Sequence, residues 1–410
     1  MLLFLALSYF LAYFDRLLMA VIGEMVKQEF LLSDKQLSLL TGAAFVVLYG
    51  SSGVAAGWLV DHVSRKRIIV WTLALWSLCT AGCGLAQSFV QLAIARAGVG
   101  IGESPTVPAA VSMITDLYPQ SKRPMAIAIF YAGGMGGILA CFLLGTWTAT
   151  HYGWRAAFFL GAPPGLLLAL LIMRFAKEPV RETPTIAANA DRRTDSSFRR
   201  VWENRPLRWL LIAGAIATFV NMSVVQWLPN FFMRSHDLTL QQVGLFFGPV
   251  LAGGMATGLL LGGWIGNRIA EHGLRGLILI SAWTLLALIP LYLLIFWLPS
   301  LTVALVATFI GTALSVVYAP SYNAAYQTIC DPRARGTAAG VSSFANAMIG
   351  GAFCSYVVGV LSDHWAPTLG KESLRYALTV GMSFCLVSAA LFFYSARLVT
   401  SQLKGARHAA

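Results

Sequence analysis

"AKEPVRETPTIAANADRRTDSSFRRVWENRP" (Ala176–Pro206) is the longest polar stretch in a chain of 410 residues that is 58% hydrophobic and only 11% charged. It is rich in charge, proline, serine and threonine, the composition of a tether rather than of a core. Apolar runs flank it on both sides. Soluble domains carry about 25% charged residues, and the mean hydropathy here is +0.71. A chain this apolar has a bilayer as its solvent, and the polar stretch divides it into two halves.

A membrane helix needs about 20 mostly apolar residues to cross the hydrocarbon core. Six such runs precede the tether, near 2–26, 36–60, 67–90, 91–115, 124–149 and 154–174. Six follow it, near 207–233, 238–266, 276–298, 300–330, 335–362 and 374–396. Barrel strands are about 10 residues long and alternate in polarity, which these runs do not. The expected fold is an all-α membrane protein of twelve transmembrane helices in two pseudo-symmetric six-helix bundles. Its expected divisions are a first bundle 1–176, a cytoplasmic linker 177–206, a second bundle 207–398 and a cytoplasmic tail 399–410. The run that opens at Met1 is too long for a signal-peptide core and lacks a basic n-region and cleavage site. It reads as the first span, compatible with the trimming of a cytoplasmic tail ahead of it.

Charge orients the chain. One set of alternate loops carries Arg65, Lys66, Arg67, Lys122, Arg123, the basic residues from Arg174 to Arg208, Arg268, Arg275, Arg333 and Arg335. The opposite loops carry only Lys27, Lys35, Arg155, Arg234, Lys371 and Arg375. Basic excess marks the cytoplasmic side, so both termini are expected there, in a multi-pass protein of the inner (cytoplasmic) cell membrane. The net charge of +12 then serves topology and does not call for a nucleic-acid partner.

The cysteines (Cys79, Cys83, Cys141, Cys330, Cys354, Cys385) fall inside spans without C-x-x-C pairing, and read as small hydrophobes. The histidines sit at span ends, in loops or in the tail. No metal or other cofactor is expected. A membrane-embedded enzyme ranks last, for want of a nucleophile with a base or a metal cluster.

The halves echo each other. "GWLVDH" (Gly57–His62) and "GWIGNR" (Gly263–Arg268) share a Gly-Trp start at an offset of 206 residues. Weak internal symmetry of this kind marks transporters that bind substrate between repeats near the bilayer midplane. Ionic character breaks the symmetry. Asp15, Arg16, Arg96 and Glu103 lie deep in the first and fourth spans, while the second half has Asn221, Met222, Thr302 and Phe309 at the corresponding positions.

Arg96 and Glu103, in "ARAGVGIGESPTVPAA" (Ala95–Ala110), are seven residues apart, two helical turns, and so share a face. Counted from the outer surface, Asp15 lies roughly 18 Å inward, Glu103 roughly 21 Å and Arg96 roughly 10 Å. If the first and fourth spans are neighbours, Asp15, Arg16 and Glu103 meet near mid-membrane. A charge at the centre of a spanning helix costs about 2.5–3.5 kcal/mol to insert, and buried ion pairs are often no better than apolar replacements. Stability alone is a weak motive for these four residues, whereas ionisable groups inside membranes mark ion, proton or substrate routes. Asp15 and Glu103 are the candidate proton carriers. Arg16 and Arg96 are fixed positive charges whose planar fork suits phosphate or carboxylate. When an acid takes a proton its arginine loses a counter-ion and becomes free for an anionic cargo. The nearby Gly98, Gly100 and Gly102, followed by Pro105 and Pro108, suit close helix approach and a gating hinge equally well.

"GWLVDHVSRKR" (Gly57–Arg67) resembles the loop signature of the major facilitator superfamily, G-x-x-x-D-[RK]-x-G-R-[RK], with His62 and Ser64 in place of the usual base and glycine. "RAGVGIG" (Arg96–Gly102) resembles the superfamily's span-four signature. Together "YFDR" (Tyr13–Arg16), "LSDKQLSLLTG" (Leu32–Gly42), "RAGVGIGES" (Arg96–Ser104) and "HYGWRAAF" (His151–Phe158) look like the spinster branch in a bacterial form. The resemblance implies alternating access, a cytoplasmic gate at Asp61 with Arg65, and proton coupling at Asp15 and Glu103 with Arg16 beside them. The cargo it implies is a lysophospholipid or sphingosine phosphate, carried by a monomer. An acyl tail needs an apolar cleft. Tyr318, Tyr322 and Tyr326 recur every four residues along span ten, either lining that cleft or packing between helices; Tyr322 and Asn323 are the candidates for cargo contact. The alternative cargoes are small organic anions such as sugar acids, whose carriers also show a "GEAP"-like stretch resembling "GESP" (Gly102–Pro105), and amphipathic drugs.

Overall fold

The computed structural model describes residues 1–119, 122–178, 194–270, 273–330 and 334–409, and every regular element among them is helical. The first helix, α1 (Leu2–Phe30), stops at Leu31, whose φ of 52° is left-handed and turns the chain back. A Ser33–Gln36 capping box starts the short α2 (Asp34–Ser38), satisfying two of the amide groups a helix start leaves open. A π-helical segment, Leu39–Ala43, leads into α3 (Ala44–His62). Helix α4 (Arg65–Leu85) begins at Ser64, whose hydroxyl accepts from the Arg67 amide. Ser88 does the same for α5 (Phe89–Glu103), accepting from Gln91. Next come α6 (Thr106–Leu117), α7 (Arg123–Ala140), a second π segment (Cys141–Gly145) and α8 (Thr146–Tyr152). Gly153, at φ +84°, separates α8 from α9 (Trp154–Phe175).

The second half of the chain runs α10 (Thr194–Glu203), α11 (Arg205–Ser235), α12 (Leu240–Ala270), α13 (Leu274–Trp297) and α14 (Leu301–Ile329). It ends with α15 (Arg335–Ala345), a third π segment (Asn346–Phe353), α16 (Cys354–Leu369) and α17 (Ser373–Ala409). Among the described residues, nine helical stretches are long and apolar enough to cross a membrane. The last of these, Thr337–Ser401, is 65 residues long. At 1.5 Å per residue it would span roughly three bilayer cores, so it is more than one crossing. The chain is a multi-pass helical membrane protein.

One expectation from the sequence meets a different structure. The run 91–115 is not one helix: it breaks at Ser104 and Pro105, immediately after Glu103, into α5 and α6. Proline lacks the amide and its ring collides with the preceding turn, so Pro105 interrupts the helical ladder, while Pro108 falls in the first turn of α6, where a helix has no amide bond to lose. The linker 177–206 contains the helix α10, and the tail 399–410 continues α17 as far as Ala409.

By packing, the described chain forms two compact units. The first comprises Met1–Ala188, Gln226–Ala252 and Ser355–Ser373; the second comprises Asn189–Val225, Gly253–Cys354 and Leu374–Ala410. The first unit thus takes in parts of α11 and α12 and most of α16, across the linear division at residues 176 and 207. Small residues explain the packing inside it. A Cβ on Gly133 or Gly137 of α7 would run into the backbone carbonyls of Ala6 and Phe10 on α1, and one on Gly165 of α9 into Ser77 of α4. Gly244 of α12 lies against Phe142 and Thr146 in the same way. Within the second unit, α13 packs on α14, and Gly258 and Gly262 of α12 bring it against the Ala313 and Val317 carbonyls of α14.

Candidate functional site: a buried charge network

The four deep charges of the first half pair across α1 and α5. Arg16 Nη2 donates to Glu103 Oε2 at 2.7 Å. Arg96 Nη1 lies 3.5 Å from Asp15 Oδ2 and 3.4 Å from the Asp15 carbonyl. Asp15 and Arg16 are sequential, so one turn of α1 faces two residues that stand two turns apart on α5. The first span thereby reaches Arg96 and Glu103 together, and Arg96 belongs to the cluster with Asp15 as its partner. Arg96 is fully buried and the Glu103 side chain is 1% exposed, but Arg16 keeps 28% of its side-chain surface. It is the member of the network that keeps exposed surface.

An aromatic wall supports the arginines. The Arg16 guanidinium lies 5.2 Å from the Tyr13 ring centroid, 5.1 Å from Phe45 and 5.0 Å from Tyr49. Phe45 also stands 5.3 Å from the Arg96 guanidinium, so a single ring touches both cations. Cation–π attraction at such sites is worth about 0.5–2 kcal/mol, and it holds a guanidinium without consuming its hydrogen-bond donors. Gly100 of α5 makes this approach possible, since a Cβ there would overlap the Phe45 carbonyl oxygen; Gly98 and Gly102 fit α5 against α4, where a Cβ would come within 2.6 Å of Cys79 Sγ and 2.8 Å of the Trp76 Cβ. Close approach is therefore what these glycines do.

The network is not fully satisfied. Glu103 Oε1, Arg16 Nε, Arg96 Nε and Arg96 Nη2 are buried without a hydrogen-bond partner among the described residues. A buried unpaired polar atom costs about 1–3 kcal/mol, and more in a charged group. An ionic cluster built only for stability would close these bonds. This one holds donors and an acceptor in reserve, which suits a site whose partners change.

The remaining predicted residues lie elsewhere. Arg65, at the start of α4, is buried; it bonds Asp116 and, at 3.1 Å each, the Ser112 hydroxyl and Glu178 Oε1. Glu178 also accepts from Ser64 and from the Arg65 and Lys66 amides. Partial burial would raise the Glu178 carboxyl, but these donors overcome it and hold the group below its ordinary value. The side chain of Asp61 lies outside the described residues. Tyr322 is buried in the second unit, its hydroxyl 2.9 Å from the Ser342 hydroxyl and its ring beside Tyr326 and Phe392. Asn323 is exposed and donates to the Ala319 carbonyl. Both residues belong to the second unit, and the charge network to the first. Sequence reasoning passed over Phe45 and Tyr49, whose only signal is that they are large aromatics at i and i+4 on the helix that follows the quoted "LSDKQLSLLTG".

Helical spans around a half-open ionic cluster define a polytopic membrane protein with a polar centre. The family model of the Major Facilitator Superfamily matches residues 5–355. An MFS-type efflux pump of Mycolicibacterium smegmatis is 29% identical over 394 residues, covering 96% of this chain and 91% of the relative. A cis,cis-muconate transport protein of Acinetobacter baylyi is 27% identical, with 92% and 88% covered. The solved inward-facing, unoccupied structure of a bacterial homolog of the human lysosomal transporter Spinster superposes with a TM-score of 0.85, at 26% identity and with 97% and 96% of the chains covered. This chain belongs to the Major Facilitator Superfamily, in its spinster-like branch. The family and these relatives are transporters.

Proposed function

We propose that this protein is a secondary active transporter that works by alternating access, with both termini cytoplasmic and twelve spans in the inner membrane. Its cargo is an amphipathic lipid with an anionic or zwitterionic head, such as a lysophospholipid or a sphingosine phosphate, and protons drive it. The observation that carries this reading is the Arg16–Glu103 pair: a buried carboxylate with one free oxygen, bonded to the one arginine of the network that keeps an open face. With Glu103 ionised, Arg16 is neutralised. A proton on Glu103 would release the guanidinium to a phosphate or carboxylate, to which it can offer two parallel N–H donors. Asp15 and Arg96 form a second exchange of the same kind, fully enclosed. Asp61 and Arg65 serve the cytoplasmic gate, and Tyr322 and Asn323 the cargo path in the second half.

A second reading, a proton-coupled carrier of small organic anions, draws on the likeness to the cis,cis-muconate transport protein. The same arginine would serve it. Purified protein in liposomes with an imposed pH gradient separates the two: labelled lysolipid or labelled muconate is offered from either side. Gradient-driven lysolipid movement that Glu103→Gln abolishes supports the first reading. Gradient-driven muconate movement without lysolipid movement replaces it by the second.

A further inference from the structure

Two arginines of the second unit rest against tryptophan rings and are answered by no carboxylate. Arg208, one turn into α11, has its guanidinium 5.8 Å from the ring centroids of both Trp202 and Trp209. Arg268, in the last turn of α12, lies 4.0 Å from the centroid of Trp264. Trp209 is itself fixed edge-on against Tyr394 of α17, at 5.7 Å. Arg208 Nη1 donates to the Trp202 carbonyl in a long bond of 3.4 Å. Neither arginine has an acidic partner among the described residues. Other arginines do: Arg65 pairs with Asp116 and Glu178, and Arg199 with Glu203.

The two places share a level. Helices α11 and α12 are consecutive apolar spans joined by the short turn 236–239, so they run in opposite directions. The start of α11 and the end of α12 therefore emerge at the same membrane surface. Trp202 and Trp264 are 49% and 54% exposed, and exposed indoles at the ends of apolar spans sit where hydrocarbon gives way to headgroups. An indole face attracts a guanidinium through its π electrons and leaves the N–H fork, which lies in the guanidinium plane, directed outward. Two of those donors in parallel match a phosphate. Glu203 does not compete, because Arg199 holds it at 2.6 Å. We propose that Arg208 and Arg268 bind the phosphate headgroups of anionic phospholipids in the surrounding bilayer, each guanidinium presented by its tryptophan. A free phosphate offers the same oxygens but has no acyl chains to lie along the apolar spans below. The proposal concerns the bilayer around the protein and holds for any cargo.

The test is native mass spectrometry of the purified full chain, counting the lipid retained from an equal mixture of phosphatidylglycerol and phosphatidylcholine. The parent is expected to retain phosphatidylglycerol in preference. Arg208→Gln and Arg268→Gln should each weaken that binding about fivefold at its own site, with phosphatidylcholine unchanged. Trp264→Leu keeps every charge and should weaken it about twofold or more, so it decides the matter if an arginine variant fails to fold. Arg199→Gln, whose charge is taken by Glu203, and Glu103→Gln, in the charge network, should retain the parent's complement. An equal loss in Arg199→Gln would reduce the effect to net charge, and a loss in Glu103→Gln would place the lipid in the cargo site; either overturns the proposal. Unchanged retention in the folded Arg208, Arg268 and Trp264 variants overturns it as well. Phosphatidylglycerol added in detergent should also raise the unfolding temperature of the parent. Inorganic phosphate that raises it equally would make the ligand a free anion and overturn the lipid assignment.

Discussion

Removing Arg16 and removing the charge of Glu103 break the same 2.7 Å contact, yet the structure makes their consequences unequal. Arg16→Ala leaves a carboxylate that is 1% exposed, with neither water nor its partner. Breaking a buried pair from one side costs about 3–5 kcal/mol, chiefly the desolvation of the charge left behind. Glu103→Gln leaves a cation instead, but that cation is 28% exposed and faces three aromatic rings, and the glutamine carbonyl still accepts one hydrogen bond. The loss should be near the difference between a charged and a neutral hydrogen bond, about 1–2 kcal/mol. The double variant Arg16→Ala, Glu103→Gln strands no charge, so its cost should fall below the sum of the singles by about 2 kcal/mol or more. The assay is thermal unfolding of the four purified proteins in one detergent, beside pH-gradient-driven uptake in liposomes. The expected order of stability is parent, Glu103→Gln, the double variant and then Arg16→Ala, and all three variants should lose the pH dependence of uptake. Additive losses, with coupling under about 0.5 kcal/mol, would refute the reasoning that these two charges form one unit.

Other expectations follow from separate parts of the molecule. Gly100→Ala places a methyl against the Phe45 carbonyl and should destabilise by about 1–3 kcal/mol through overpacking; Gly263→Ala, where a Cβ meets nothing within 4 Å, should not, and unfolding of the two variants compares them directly. The Asp34 carboxyl is pulled upward by burial but held well below its ordinary value by Arg234 and Lys27. A depressed carboxylate contributes at every pH above its unfolded value and is lost only as pH falls through the folded one. The stability lost in Asp34→Asn, read by thermal unfolding, should therefore stay constant from pH 8 to about pH 5; a loss that shrinks within that window would refute the depressed carboxyl. Glu178 is likewise held low by its donors, with the same sign, so Glu178→Gln should lower stability at neutral pH and flatten its further loss on acidification below about pH 4.5.

The membrane solvent, the helical class and the four deep charges were all legible in the chain. Each depends on a local quantity: the length of an apolar run, or the cost of placing an ion within it. The π segments and the break after Glu103 were harder to read, because apolar runs continue through them and only Pro105 marks the place. The domain division read along the chain stops at the linker, whereas packing carries residues 226–252 and 355–373 into the first unit. Asp34 and Arg234 looked like ordinary loop and helix-end charges, since a residue's partner 200 positions away leaves no trace in local pattern.

By itself, then, the sequence determined that ions would sit in the bilayer and on which spans, because dielectric cost is a property of position along a helix. Only the tertiary structure decided that Arg16 faces Glu103, that Arg96 faces Asp15 and that Phe45 touches both cations. Pairing depends on how helices are rotated and how closely they approach, and Gly100 of α5, yielding room to the Phe45 backbone of α3, brings that ring to both cations.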